Sequence, residues 1–176
     1  PEISSSLGRV DLLSFGTTDD SITLSIPSGG KMLTFSPGGG GRQDLTTEIS
    51  MVPGVWMHVA VVRDGRTDML YVNGEVRALQ SHSFDPTSPL LTDAHIVMQG
   101  TSNQRSITID NVQLWSSAMD VNGIRDTCMS GALSSVELAT IKVNANDLLV
   151  HQEFNVASSG GTTVEGTTTL IASNRG

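Results

Sequence analysis

Apolar residues alternate with polar ones in most segments of this chain that can form regular structure. Ile22, Leu24 and Ile26 alternate with serines and threonines, and a period of two is typical of a strand with one buried face. Strands of this kind recur at roughly 8- to 12-residue spacing, separated by turns rich in glycine, proline and asparagine. The pattern predicts an all-β fold, an antiparallel two-sheet sandwich of the jelly-roll kind.

Two turn signals predict hairpins, and one apolar run predicts a buried strand. Residues 27–30, Pro-Ser-Gly-Gly, separate the Ile22 strand from an alternating segment at 33–35. Asn73-Gly74 predicts a second hairpin, because both residues accept the positive φ of a type I′ turn. Residues 55–62, Val-Trp-Met-His-Val-Ala-Val-Val, are apolar almost throughout. This run predicts a strand that is buried on both faces.

One segment near 120–130 has a helical pattern instead. Asp120 is placed to cap a short helix whose Val121, Ile124 and Cys128 share one face at spacings of three and four. Gly131 is placed to end it. Cys128 is predicted to be a buried small hydrophobe rather than a nucleophile. As the single cysteine of the chain, it cannot form an intrachain disulfide.

Size and charge restrict the partners. With 176 residues, of which 38% are hydrophobic, the chain has the size of one all-β domain. The formal net charge is −8, and only two residues, Lys31 and Lys142, are lysines. Such a surface repels phosphate backbones, and no apolar run approaches the ~18 residues of a membrane helix. We expect neither nucleic acid binding nor membrane insertion.

Two blocks of sequence resemble laminin G-like and pentraxin domains of the concanavalin A-like group. The first is Pro-Gly-Val-Trp-Met-His-Val-Ala-Val-Val at 53–62, followed by Asp-Gly at 64–65 and Leu-Tyr-Val-Asn-Gly-Glu at 70–75. The second is Ile-Asp-Asn-Val-Gln-Leu-Trp at 109–115, followed by Ala-Met at 118–119. The resemblance implies a concanavalin A-like jelly roll in which residues 1–176 form one domain.

The resemblance also implies an incomplete sheet. Domains of this family begin with two or three further strands before the part that resembles residues 10–15. We therefore expect this domain to lack its first strands, as a fragment of a larger protein. Either another chain or segment supplies the missing strands, or the C-terminal strands of this chain fill their place. Because an unpaired edge strand invites association, we expect another domain or subunit to complete the sheet edge.

The acidic residues argue against catalysis. Glycoside hydrolases need two carboxylates on either side of the scissile bond, and the chain lacks the Glu-x-Asp-x-x-Glu arrangement that would supply them. His58 is expected to be a core or edge histidine, since the family keeps one there without catalysis. His82, His95 and His151 lack metal-ligand spacing. We expect a protein that is not an enzyme.

A structural calcium ion is the candidate cofactor. In related sandwiches the aspartate equivalent to Asp110 often holds calcium, with backbone carbonyls completing the oxygen shell. The alternative is a solvated or strand-capping aspartate. The acidic calcium loop of pentraxins would fall near residues 99–105, which contain no carboxylate. Calcium-dependent ligand binding of the pentraxin type is therefore not implied.

Carbohydrate recognition usually needs an exposed aromatic ring, and the chain has only seven aromatic residues. Five fall on strand positions expected to face the core: Trp56, Trp115, Phe15, Phe35 and Phe154. Only Tyr71, near the hairpin tip, is a candidate for exposure, and for Tyr71 too we expect a packed ring. A ligand site would be built mainly from loops, and its candidate residues are Tyr71, Asn73, His82, Asp85, Asn103 and Arg105.

Two classes of function remain open. The first is a binding or adhesion module for glycan or protein ligands, within a larger extracellular or surface protein. The second is a structural component of a virion, phage or surface filament. It is favoured by the missing first strands, the lack of a disulfide and the scarcity of aromatic residues. A third reading is a non-catalytic accessory domain of a carbohydrate-active enzyme.

Overall fold

The structure, a computed structural model, places the chain in two compact units, Pro1–Ser106 and Ile107–Gly176. The residues it describes are 9–15, 22–37, 43–52, 54–82, 94–95, 99–100, 109, 111–115, 117–130, 148–152 and 169–170. Among these residues, no helix is long and apolar enough to cross a membrane. That residues 1–176 form one domain lacking its first strands stays a prediction.

The larger sheet of the first unit contains six of the described strands, paired antiparallel. Its order is β4-β3-β2-β1-β8, and β9 also pairs with β1. The strands are β1 (Val10–Phe15), β2 (Ile22–Ile26), β3 (Met32–Ser36), β4 (Leu45–Glu48), β8 (Ala94–His95) and β9 (Gln99–Gly100). The predicted turn at 27–30 connects β2 to β3, with Gly30 N donating to Pro27 O at 3.2 Å.

The core of this sheet follows from cross-strand pairing. Leu24 lies opposite Phe35, and Phe35 lies opposite Leu45. Phe35 and Leu45 are buried, as is Leu33 on β3. Full burial of an aliphatic or aromatic side chain stabilises a fold by about 1.5–3 kcal/mol. The expected core position of Phe35 is confirmed.

The second sheet of this unit has the order β5-β6-β7. It consists of β5 (Val59–Asp64), β6 (Thr67–Val72) and β7 (Glu75–Ser81), all antiparallel. The central strand β6 holds the fully buried Leu70. Cα atoms of β4 come within 8 Å of β6 and β7, so the two sheets meet along β4. The predicted fold class, an antiparallel β-sandwich, is confirmed.

The apolar run at 55–62 corrects one prediction. The strand begins only at Val59, and the preceding Val55 and Trp56 are each 66% exposed. Gly54, with φ of 77°, lies in a turn where Val55 N donates to Val52 O at 3.1 Å. Because the chain turns between Val52 and Val55, β5 begins three residues after Trp56, and Trp56 is not part of the strand. Neither the core position of Trp56 nor burial on both faces from residue 55 is correct.

The second unit contains a three-stranded antiparallel sheet and a helix in its described part. The sheet has the order β10-β11-β12, with β10 (Val112–Trp115), β11 (Leu148–Gln152) and β12 (Thr169–Leu170), and the helix is α1 (Val121–Ser130). Gly123 N donates to Asp120 Oδ1 at 2.8 Å, so the predicted helix and its cap are confirmed. Cys128 is half-buried rather than fully buried. Gly131 and Phe154 lie outside the described residues.

A candidate ligand-binding surface around Trp56

The loop between β4 and β5 presents three large apolar side chains to solvent. Val52 is 54% exposed, and Val55 and Trp56 are each 66% exposed; we call these three residues the Trp56 surface. A tryptophan residue has up to roughly 250 Å² of surface, so Trp56 offers about 160 Å² to a ligand. Tryptophan is enriched at interaction surfaces, because it combines a large apolar ring with a polar N–H group.

The loop that carries Trp56 is held by its backbone. Ile49 N donates to Lys31 O at 2.9 Å, which ties the end of β4 to the turn before β3. Gly54 has φ of 77°, and a Cβ added there would meet nothing within 4 Å. Backbone conformation, not crowding, is therefore what requires glycine at this position. A loop fixed in this way has less conformational entropy to lose on binding.

The hairpin tip at Asn73-Gly74 adjoins this loop through His58. Asn73 N donates to His58 O at 2.9 Å, and His58 N donates to Asn73 Oδ1 at 3.0 Å. Asn73 and Gly74 both have positive φ, 51° and 77°, so the predicted Asn-Gly hairpin is confirmed. Trp56 precedes His58 by two residues, which places it within about 7 Å of that residue along an extended chain.

The imidazole of His58 is an uncharged part of this region. Burial lowers the pKa of His58 below its ordinary value of 6.5, because a charged ring loses water on burial. Its Nδ1 atom is buried and has no hydrogen-bond partner among the described residues. His58 therefore contributes its backbone to the hairpin tip and no positive charge near neutral pH.

The structure describes three of the six predicted ligand residues, and one of these, Asn73, lies next to the loop that carries Trp56. Asn73 is exposed and bonded to His58. Tyr71, in contrast, is 3% exposed because it lies on the central strand, and its hydroxyl donates to Met69 Sδ at 3.5 Å. The expected packed ring of Tyr71 is thus confirmed, and the ring is not exposed for ligand binding. Asp85, Asn103 and Arg105 lie outside the described residues, so their roles stay predictions.

His82 belongs to a buried ionic network instead of an exposed loop. Asp68 is 0% exposed and receives two hydrogen bonds from Arg63, Nε to Oδ1 at 2.7 Å and Nη2 to Oδ2 at 3.0 Å. His82 Nε2 lies 3.0 Å from Asp68 Oδ2, and the side chain of His82 is 5% exposed. We call these three residues the Asp68 network.

The Asp68 network joins β5, β6 and the residue after β7. Burial alone would raise the pKa of Asp68, but the hydrogen bonds from Arg63 and His82, together with their charges, lower it below its ordinary value. The carboxylate is therefore ionised and fully engaged. Arg63 and Asp68 were not among the residues predicted from the sequence. Their only sequence signal is a pair of opposite charges on either side of the Asp64-Gly65 turn.

The calcium prediction rests on Asp110, which lies outside the described residues. Its neighbour Asn111 has φ of 53° and accepts a hydrogen bond at Oδ1 from Gln113 Nε2 at 3.0 Å. In the part of the chain that the structure describes, no group of three or more His, Cys, Asp or Glu could hold a metal ion. A bound calcium stays a prediction.

Comparisons with known proteins place these features in a wider context. A family model described as the concanavalin A-like lectin/glucanases superfamily matches residues 4–125. A crystal structure of an S-layer domain-containing protein (residues 221–444) from Clostridium thermocellum shares 20% identity over 72% of this chain and 65% of that one, with a TM-score of 0.30. The chain thus spans just under two thirds of that structure. No curated protein sequence matches it.

Proposed function

The chain belongs to the concanavalin A-like lectin/glucanase superfamily, and from that premise we propose that it is a non-catalytic binding module. It holds a glycan ligand on the Trp56 surface and forms part of a larger extracellular or surface protein. The observation that carries the proposal is the exposure of Trp56, which is 66% accessible in a loop fixed by backbone hydrogen bonds.

An exposed indole suits a sugar ring for a physical reason. The C–H groups on one face of a pyranose are apolar and pack against an aromatic face, while its hydroxyls bond to polar groups at the edge. Covering about 160 Å² of Trp56 contributes about 4 kcal/mol at 25 cal/mol per Å². That free energy corresponds to a Kd near 1 mM before the costs of association. We expect weak single-site binding that gains strength through multivalent display.

Intrinsic fluorescence provides a direct test, because the chain has two tryptophans, Trp56 and Trp115. In a Trp115→Phe variant, all tryptophan emission comes from Trp56. We expect immobilised-glycan binding by the wild type, an emission change in Trp115→Phe on adding the bound glycan, and loss of binding in Trp56→Ala. Met129→Ala is the matched control, since Met129 is an apolar side chain 87% exposed outside the Trp56 surface. Equal binding by Trp56→Ala and Met129→Ala would contradict the proposal.

The absence of catalysis is part of the same proposal. Asp68, the buried carboxylate of the second sheet, is bound by Arg63, and an ionised carboxylate held in this way cannot serve as a general acid. Incubation with the glycans that bind, followed by analysis of released sugars, tests this directly. Release of shorter oligosaccharides by the wild type would refute a purely binding role.

A structural role is the second candidate, favoured by two exposed apolar residues on β7. Val76 is 45% exposed and Leu79 is 59% exposed. Val76 lies opposite Tyr71, and Leu79 lies opposite Met69. A register shift between these two pairs puts Val76 and Leu79 on the same face of the sheet, although they are three residues apart in sequence. Such a pair could contact another subunit.

Association through β7 would be weak on this area alone, since a standard interface buries about 800 Å² on each partner. Sedimentation velocity over a range of concentrations distinguishes the two candidates. Larger species that disappear in a Leu79→Lys variant would favour the structural role. Monomers at every concentration would favour the binding module.

The location outside the cell, or on the surface of a particle, is also proposed. It is supported by a neutral-polar composition with 18 glycines, only two lysines and a net charge of −8. Protease treatment of intact source cells or particles, followed by detection with an antibody, measures accessibility. Protection of the protein until the cells or particles are broken would contradict this location.

A further inference from the structure

We propose that the ligand of the Trp56 surface is an uncharged glycan and that the side-chain amide of Asn73 selects it by donating a hydrogen bond to a sugar oxygen. This inference rests on the proposed glycan-binding function and adds to it a ligand class and a specificity-determining residue. It arises from the hydrogen bonds that orient Asn73 beside the loop carrying Trp56.

The orientation of the Asn73 amide is determined by its partner. The backbone N–H of His58 is a donor, so the atom 3.0 Å from it is the amide oxygen, Oδ1. A second bond, from Asn73 N to His58 O at 2.9 Å, fixes the backbone on which the side chain stands. With Oδ1 engaged, the Nδ2 group is the branch left to present two N–H donors. Asn73 is exposed, and no partner of Nδ2 occurs among the described residues.

Fixed donors next to an apolar platform match the chemistry of a pyranoside. Its ring face covers the indole, and its hydroxyl or ring oxygens accept hydrogen bonds at the edge. The distance from Asn73 to the Trp56 loop is short, because His58 contacts Asn73 and follows Trp56 by two residues. An amide whose position is already set loses little conformational entropy when the ligand binds.

The charges at the hairpin tip argue for an uncharged ligand. Glu75 follows the tip with a side chain 70% exposed, and Arg77 Nη1 lies 3.8 Å from Glu75 Oε2. Arg77 is the positively charged residue nearest to the hairpin tip in sequence, and it is thus paired with the carboxylate of Glu75. The whole chain carries a net charge of −8, which repels sulfated and sialylated glycans. An amide donor attracts a neutral oxygen without needing a compensating charge.

The competing explanation is that Asn73 serves the turn alone, because asparagine tolerates the positive φ of 51° found there. Two substitutions separate the explanations. Asn73→Asp keeps an oxygen for the His58 N–H and tolerates positive φ, but it removes both donors. Asn73→Gly keeps the backbone conformation and removes the oxygen as well as the donors. A turn-only role predicts full glycan binding in both variants.

The experiment measures binding of cellopentaose, maltopentaose and chitopentaose as uncharged probes, with heparin fragments and sialyllactose as anionic ones. We expect the wild type to bind at least one uncharged probe and neither anionic probe. We expect Asn73→Asp to bind that probe three- to tenfold more weakly, the usual value of one neutral hydrogen bond, with an unchanged melting temperature. Asn73→Gly should show a similar loss of affinity.

Failure of the inference and failure of the proposed function give different results. If the wild type binds an uncharged probe, Trp56→Ala abolishes binding and both Asn73 variants retain wild-type affinity, then the amide has no role and the inference is overturned. Preference of the wild type for heparin fragments would overturn the ligand class. If the wild type and Trp56→Ala behave alike with every probe, the proposed function fails, and the inference fails with it.

Discussion

Replacing Asp68 with asparagine tests the buried ionic network that joins β5, β6 and His82. The substitution keeps the size of the side chain but removes its charge, so Arg63 is left without its counter-ion. Breaking a buried pair by neutralising one partner costs about 3–5 kcal/mol. The Arg63 side chain is 16% exposed, which lets the guanidinium retain some hydration. We therefore expect the lower end of this range, about 3 kcal/mol.

Urea unfolding followed by far-UV circular dichroism measures this loss directly. For a cooperative unit of about this chain's length, 3 kcal/mol lowers the melting temperature by roughly 6–12 °C, and by about twice as much if the first unit unfolds alone. Glu48→Gln is the control, because it neutralises an exposed carboxylate on β4 and should change stability by less than about 0.5 kcal/mol. A folded Asp68→Asn protein that loses under about 1 kcal/mol would refute the reasoning.

Three further predictions concern the same fold. The pKa of Asp68 lies below its ordinary value of 3.8. The ionised carboxylate therefore stabilises the fold above pH 3.8, and this stabilisation is lost as the pH falls through the lower pKa of the folded state. Acid titration should thus destabilise the wild type more than Asp68→Asn. Asp120→Ala should lower the stability of the second unit by about 1 kcal/mol in thermal unfolding, because the cap on Gly123 N is lost. Leu70→Ala should lower the free energy of unfolding by about 2–5 kcal/mol, because Leu70 is 0% exposed. Leu79→Ala should lower it by less than about 1 kcal/mol, because Leu79 is 59% exposed. Similar losses in the two variants would contradict the assigned core.

Local sequence signals predicted the elements whose geometry depends on neighbouring residues. The Asn73-Gly74 hairpin requires positive φ at two successive positions, and few residue pairs other than Asn-Gly allow it. The helix after Asp120 requires an acceptor for its first N–H groups, which an aspartate supplies. The strand at Ile22 follows from alternation alone. In each case the physical cause lies within a few residues, so it can be recognised without knowing the rest of the fold.

The candidate site could not be predicted in this way, because its properties depend on what lies across the fold. An apolar run such as 55–62 does not indicate where the strand begins, and the turn at Gly54 exposes residues that composition alone would bury. Burial of Asp68 requires an arginine on β5 and a histidine just after β7 at hydrogen-bond distance. Asn73 was predicted as a ligand residue, but its amide orientation depends on the backbone of His58, fifteen residues away in sequence.

The stability of a Trp56→Ala variant decides between the sequence-based and the structural positions of this residue. A tryptophan in the core costs about 3–5 kcal/mol on truncation to alanine. Trp56 is 66% exposed, so only about a third of that cost applies, roughly 1 kcal/mol. Chemical unfolding of the variant beside Met129→Ala measures the difference, and near-UV circular dichroism reports whether the fold is retained. A loss of about 3 kcal/mol or more would show that Trp56 is buried in the core. The exposed indole against which the proposed ligand packs would then not exist.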